Sequence, residues 1–121
     1  NKTILTAEDD PSSRRLLEEM LKPFAGNIIS CASGSEVLKT LKEDQPVDLV
    51  LLDISLPDMD GREVIRSIRQ ISPKIPVIAQ TALDKQADKK SILEAGADEY
   101  FVKPIWREEL FETMNRYLRG Q

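Results

Sequence analysis

Asp48-Leu49-Val50-Leu51-Leu52-Asp53-Ile54-Ser55-Leu56-Pro57-Asp58-Met59-Asp60-Gly61 joins the most apolar run of the chain to an acidic loop bearing proline and glycine. A strand covered on both faces reads as a continuous apolar run, so 48–53 is expected to be the central strand of a parallel sheet, with Asp53 at its C-terminal end. The stretch from Ser55 to Gly61 reads as a loop. Asp60 and Glu63 have capping-box spacing, and Val64, Ile65, Ile68 and Ile71 give the next helix its apolar face.

Toward the N-terminus, Thr3-Ile4-Leu5 is a short strand that ends at Ala7 and is followed by Glu8-Asp9. Asp10 reads as an N-cap with Pro11 at the first helical position. Leu16, Leu17, Met20, Leu21 and Phe24 form one apolar stripe, and Gly26-Asn27 breaks that helix. Ile28 to Cys31 is a second strand. Ser33 and Glu36 open a helix carrying Val37, Leu38 and Leu41, which Pro46 ends.

Toward the C-terminus, Pro73 and Pro76 bracket the turn into a fourth strand, Pro76-Val77-Ile78-Ala79, with Thr81 at its end. The fourth helix, from about Lys85 to Ala95, offers only Ala87, Ile92, Leu93 and Ala95 for burial. It is expected to dock loosely, as a mobile or partner-facing element. Gly96 stops it. Tyr100-Phe101-Val102 leads into Lys103-Pro104, and a last helix from Trp106 or Arg107 buries Leu110, Phe111, Met114 and Leu118. Fivefold strand–helix alternation predicts a doubly wound α/β fold. Its five-stranded parallel sheet has helices on both faces and order 2-1-3-4-5, and the crevice lies where Asp9 and Asp53 end strands one and three.

The 121 residues suit one domain, 1–121. Hydrophobic residues make up 40% and charged ones 31%, as in soluble globular proteins. The net charge of -4 and the lack of a dense Lys/Arg run argue against direct nucleic-acid binding. No apolar run reaches membrane-spanning length, which predicts no membrane contact. Cys31 is alone, as expected in a reducing, cytoplasmic setting. With no histidine and one cysteine, histidine catalysis and Cys/His zinc sites are excluded, so any metal is held by oxygen and is Mg²⁺, Mn²⁺ or Ca²⁺. A start at Asn1 and a stop at Gly120-Gln121, just after the last helical pattern, are expected of a domain cut from a longer protein or of a trimmed chain.

Strand ends on one edge of a parallel sheet converge, which brings together Glu8, Asp9, Asp53, Thr81 and Lys103. An aspartate can attack phosphorus and become an aspartyl phosphate. Mg²⁺ prefers one or two carboxylates plus water, which Asp9 and Asp53 can supply directly and Glu8 through a water. Lys103 offers a point charge, and Thr81 a hydrogen bond, to phosphoryl oxygens. Each residue has a plainer reading. A lone strand-end Asp is usually a cap or turn residue, as Asp10 and Asp60 are expected to be. Asp58 reads as a loop surface charge, Cys31 as a small buried hydrophobe and Trp106 as a helix-start packing residue. Arg14-Arg15 and Lys89-Lys90 read as solvated faces. The phosphoryl reading accounts for all five strand-end residues at once.

Together the acidic pair Glu8-Asp9, Asp53 in its loop through Gly61, Thr81-Ala82 and Lys103-Pro104 resemble a response-regulator receiver domain of two-component signalling, over essentially the whole chain. The resemblance implies a flavodoxin-like (βα)5 fold and Asp53 as phosphoacceptor. It adds the Ser55 backbone carbonyl as an Mg²⁺ ligand and a cis peptide between Lys103 and Pro104. It implies a histidine kinase or histidine phosphotransfer domain as partner, with a modest role for Arg14 and Arg15 in touching it, self-catalysed phosphorylation and dephosphorylation, and a switch. In that switch Thr81 moves toward the phosphoryl group, Tyr100 rotates inward, and the surface of the fourth helix, fifth strand and fifth helix changes. Glu8, Asp10-Pro11-Ser12 and Ile78-Ala79-Gln80-Thr81-Ala82 resemble receivers attached to hybrid histidine kinases. A haloacid-dehalogenase-type phosphatase needs a second Asp where Ser55 stands, and an FMN phosphate would be repelled by Glu8-Asp9-Asp10. A degenerate receiver acting only as an interaction module is at odds with the complete acidic and basic set.

Overall fold

The structure, a computed structural model, describes residues 2–43, 46–82 and 86–119. Five strands alternate with five helices: β1 (Thr3–Ala7), α1 (Pro11–Leu21), β2 (Asn27–Cys31), α2 (Gly34–Lys42), β3 (Leu49–Asp53), α3 (Gly61–Ile71), β4 (Val77–Thr81), α4 (Gln86–Ala95), β5 (Glu99–Val102) and α5 (Arg107–Met114). A π-helical turn, Asn115–Arg119, continues α5. The strands are parallel and ordered β2-β1-β3-β4-β5, the doubly wound arrangement expected from the alternation. Among the described residues no helix is long and apolar enough to cross a membrane.

Strand alternation divides the core in two. On one face Leu5, Ala7, Val50, Leu52, Val77 and Ala79 meet Val37 of α2, Val64, Ile65 and Ile68 of α3, and Ile92 of α4. On the other, Ile4, Leu49, Leu51, Ile78 and Phe101 meet Leu17, Met20 and Leu21 of α1 and Leu110 and Met114 of α5. The rings of Phe24 and Phe111 close this second layer edge to face, with centroids 4.9 Å apart. Burying each such aliphatic side chain contributes about 1.5–3 kcal/mol, and every residue of β3 is buried, as its unbroken apolar run requires.

Helix starts follow their caps. The Asp10 carboxylate accepts the Ser13 N–H at 2.8 Å, with Pro11 opening α1. The Ser33 hydroxyl accepts the Glu36 N–H, while Glu36 accepts the Ala32 N–H. Asp60 caps α3 through the Arg62 N–H.

Several expectations need correction. Asp58 is not a free surface charge: its carboxylate accepts the Gly34 N–H at 2.8 Å, the Ser35 N–H at 3.0 Å and the Ser35 hydroxyl at 2.6 Å. The loop after β3 is thereby fastened to donors that the first turn of α2 leaves orphaned. Leu16 is 59% exposed because it lies at the margin of a stripe that Leu17, Met20, Leu21 and Phe24 already fill. Leu93 and Trp106 are exposed too, and Trp106 precedes α5 without a side-chain cap, so it does not pack the helix start. Phe111 is only half-buried. α1 ends at Leu21, before Pro23 and well short of Gly26, and α2 ends at Lys42, where Glu43 N–H closes it on Lys39 and Thr40. Lys85 and the side chain of Ala87 lie outside what is described.

The Ser35 hydroxyl and the Gly34 N–H hold the Asp58 carboxyl below the usual aspartate range. An aspartate whose folded pKa is depressed stabilises the fold above its unfolded value, near 3.9, and loses that contribution as pH falls through the folded pKa. Asp58→Ala is therefore expected to lower the melting temperature by a few degrees at pH 7. In melts run down a pH series, the gap to the unsubstituted chain narrows below about pH 4.

Candidate functional site

At the C-terminal edge of the sheet, the face holding Ile4, Leu51, Ile78 and Phe101 continues by strand alternation to Glu8, Asp53, Gln80 and Lys103. These residues meet. Lys103 Nζ lies 2.7 Å from Asp53 Oδ2 and 3.3 Å from Glu8 Oε1. The Ser55 N–H donates to Asp53 Oδ1 at 2.9 Å, so both oxygens of that carboxylate are held. The Asp10 N–H donates to Glu8 Oε2 at 3.2 Å, and Gln80 Nε2 to Glu8 Oε1 at 3.5 Å. Glu8, Asp53 and Gln80 are almost fully buried.

The electrostatics follow from this crowding. Burial pushes the Glu8 carboxyl above its ordinary value and the Asp53 charge adds to the push, while the Asp10 N–H and Lys103 only partly offset them. Burial alone would lower the Lys103 ammonium, but the hydrogen bond and charge of Asp53 and the charge of Glu8 together hold it above its usual range. One ammonium faces two buried carboxylates, with Asp9 beside them. Oxygen atoms of Glu8, Asp9 and Asp53 lie within 4.8 Å of one another, an all-oxygen donor set that suits Mg²⁺.

Thr81 and Tyr100 alternate with Gln80 and Phe101 and so belong to the opposite face at the same edge. Thr81 is buried, and its carbonyl accepts the Lys103 N–H at 2.8 Å. Tyr100 is half-buried against the α2–α3–α4 side of the core, with Lys89 Nζ 5.8 Å from its ring centre. The expected residues thus form two groups: Glu8, Asp9, Asp53 and Lys103 in a cluster, and Thr81 and Tyr100 behind it. Ser55 is exposed and bridges to Asp60, and the Lys103–Pro104 peptide is cis.

Sequence reasoning missed the part that two residues play at the site. Arg14, read as solvated, donates to the Glu8 carbonyl at 3.1 Å and the Asp9 carbonyl at 3.4 Å, tying α1 to the acidic loop. Gln80 left one sign, a lone amide among the apolar residues of β4. Beside Glu8 and Lys103 a cavity of about 380 Å³ opens, walled by Leu16, Met20, Pro104 and Ile105.

The comparisons with known proteins agree with this geometry. Residues 4–115 match the family model for the response regulator receiver domain. The chain is 37% identical over 119 residues to the alkaline phosphatase synthesis transcriptional regulatory protein PhoP of Bacillus subtilis, an alignment covering 98% of this chain and 49% of that protein. It is 34% identical over 120 residues to the signal transduction histidine-protein kinase BarA of Escherichia coli, covering 98% of this chain and 13% of that protein. It therefore spans about half the length of the first relative and a small part of the second. Among solved structures it superimposes with a TM-score of 0.87 on the receiver domain of a sensor histidine kinase from Pseudomonas aeruginosa, at 33% identity and 98% coverage of both chains. That crystal structure has a magnesium ion coordinated in its active-site cleft. Fold, acidic cluster and sequence agree, and the chain belongs to the response regulator receiver domain family.

Proposed function

We propose that this chain takes a phosphoryl group onto Asp53 from the phosphohistidine of a histidine kinase or histidine phosphotransfer domain, and passes the change to a partner through α4, β5 and α5. The observation that carries this reading is the buried Asp53 carboxylate 2.7 Å from Lys103 Nζ, with Glu8 and Asp9 beside it. In the transfer an Asp53 oxygen attacks phosphorus, the N–P bond of the phosphohistidine breaks, its electron pair returns to the imidazole, and an acyl phosphate is left on Asp53. Glu8, Asp9 and Asp53, together with the Ser55 carbonyl, are the residues that would hold Mg²⁺. When bound, Mg²⁺ supplies positive charge against the phosphoryl oxygens. Ser55 N–H fixes one Asp53 oxygen, which orients the carboxylate. Lys103 follows the charge from the bare carboxylate to a phosphoryl oxygen, and the Thr81 hydroxyl donates to another.

Movement of Thr81 toward the phosphoryl group leaves room behind it for Tyr100 to turn inward. α4 suits such a switch, since among its described side chains only Ile92 and Ala95 are buried. To test acceptance, the chain is mixed with a histidine-phosphorylated phosphotransfer protein, reduced with borohydride and mapped by peptide mass spectrometry. An acyl phosphate at Asp53 is converted to homoserine at that position alone. Phosphoryl transfer with Asp53 left unmodified would overturn the assignment.

A further inference from the structure

We propose that Gln80 is a positioning residue for Glu8, the neutral donor that keeps this carboxylate aimed at the cation while Lys103 is committed to Asp53 and, after transfer, to the phosphoryl group. The proposal rests on the reading of the site as an Mg²⁺-assisted phosphoacceptor. Glu8 Oε1 has two donors, Lys103 Nζ at 3.3 Å and Gln80 Nε2 at 3.5 Å. Lys103 is already committed more closely to Asp53, at 2.7 Å. A phosphoryl group on Asp53 adds further negative charge beside the same ammonium and weakens its hold on Glu8.

Gln80 cannot follow that charge. Its amide is neutral, its residue is 2% exposed, and it stands on an interior strand of the sheet, paired in register with Asp53 itself. The strand residues before it, Val77, Ile78 and Ala79, are apolar and buried, so an amide here incurs a desolvation cost that only a partner offsets. The partner of its Nε2 is Glu8 Oε1. A cation at this position would compete with the metal, and an apolar side chain would leave Glu8 Oε1 buried with Lys103 alone. A neutral donor avoids both, as the outer partners of metal-binding carboxylates commonly do.

The test is Mg²⁺ affinity by titration calorimetry on the unsubstituted chain, Gln80→Met, Gln80→Leu, Glu8→Gln and the double variant Gln80→Met/Glu8→Gln, with melting curves taken without Mg²⁺. Gln80→Met and Gln80→Leu are expected to weaken Mg²⁺ binding about tenfold. The loss vanishes when Glu8 is already Gln, because the effect runs through that carboxylate. Unchanged affinity in both Gln80 variants, or the same loss in the Glu8→Gln background, overturns the proposal while leaving phosphoryl acceptance standing. Absence of Mg²⁺ binding by the unsubstituted chain overturns the reading of the site and the proposal with it.

Discussion

Lys103→Met slows phosphorylation of the chain by acetyl phosphate by about a hundredfold or more. Removing one preorganised charge from a water-poor transfer site costs on that order. The ammonium lies 3.3 Å from the Glu8 carboxylate and 2.7 Å from that of Asp53, both almost fully buried. Methionine keeps most of the unbranched side chain and loses the charge, so two buried carboxylates face each other and incoming phosphoryl oxygens find no counter-charge. Lys103→Arg restores little of the rate, because a planar guanidinium does not reproduce a compact point charge. Time courses of intact mass at saturating Mg²⁺ give the rates directly. A methionine variant that reacts at the unsubstituted rate would remove Lys103 from the mechanism.

Gly61→Ala has the largest expected effect on stability. A Cβ built at Gly61 would lie 2.5 Å from the Ile54 Cα and 2.9 Å from the Ile54 carbonyl oxygen. Both are backbone atoms, and the Gly61 N–H is bonded to that same carbonyl, so neither side can yield cheaply. The cost is about 3 kcal/mol, equivalent to a fall of about 10 °C in melting temperature for a chain of this length. Urea unfolding should show a lower midpoint with an unchanged slope. The strained loop also carries Ser55, whose N–H holds Asp53, so phosphorylation should slow as well. An alanine variant as stable as the parent would mean that the loop can open without cost.

Leu49 to Leu52 announced a strand covered on both faces, and placing Asp53 at its end needed only strand alternation and parallel topology. Asp10, Ser33 and Asp60 declared their helices because a cap acts over two or three residues. Asp58 was misread because its partners, Gly34 and Ser35, are more than twenty positions away and no local pattern links them. Gln80 escaped for the same reason, since Glu8 is its neighbour only in the folded sheet, and Arg14 because its bonds to the Glu8 and Asp9 carbonyls depend on how α1 turns back over the strand end, which no spacing rule encodes. Leu16 and Trp106 are apolar side chains left outside a core already filled, which periodicity alone does not reveal. The fold was therefore readable from local pattern, and the acidic cluster from strand order. The supports around that cluster depended on long-range contacts.

The central claim is that Asp53 takes up phosphoryl in an Mg²⁺-dependent way. Intact-mass spectrometry after incubation with acetyl phosphate, with and without Mg²⁺, beside an Asp53→Asn control, tests it most directly. The account predicts a gain of one phosphoryl group that requires Mg²⁺ and is absent from the control. A correctly folded, Mg²⁺-binding chain that gains nothing, or a control that gains as much as its parent, would contradict it.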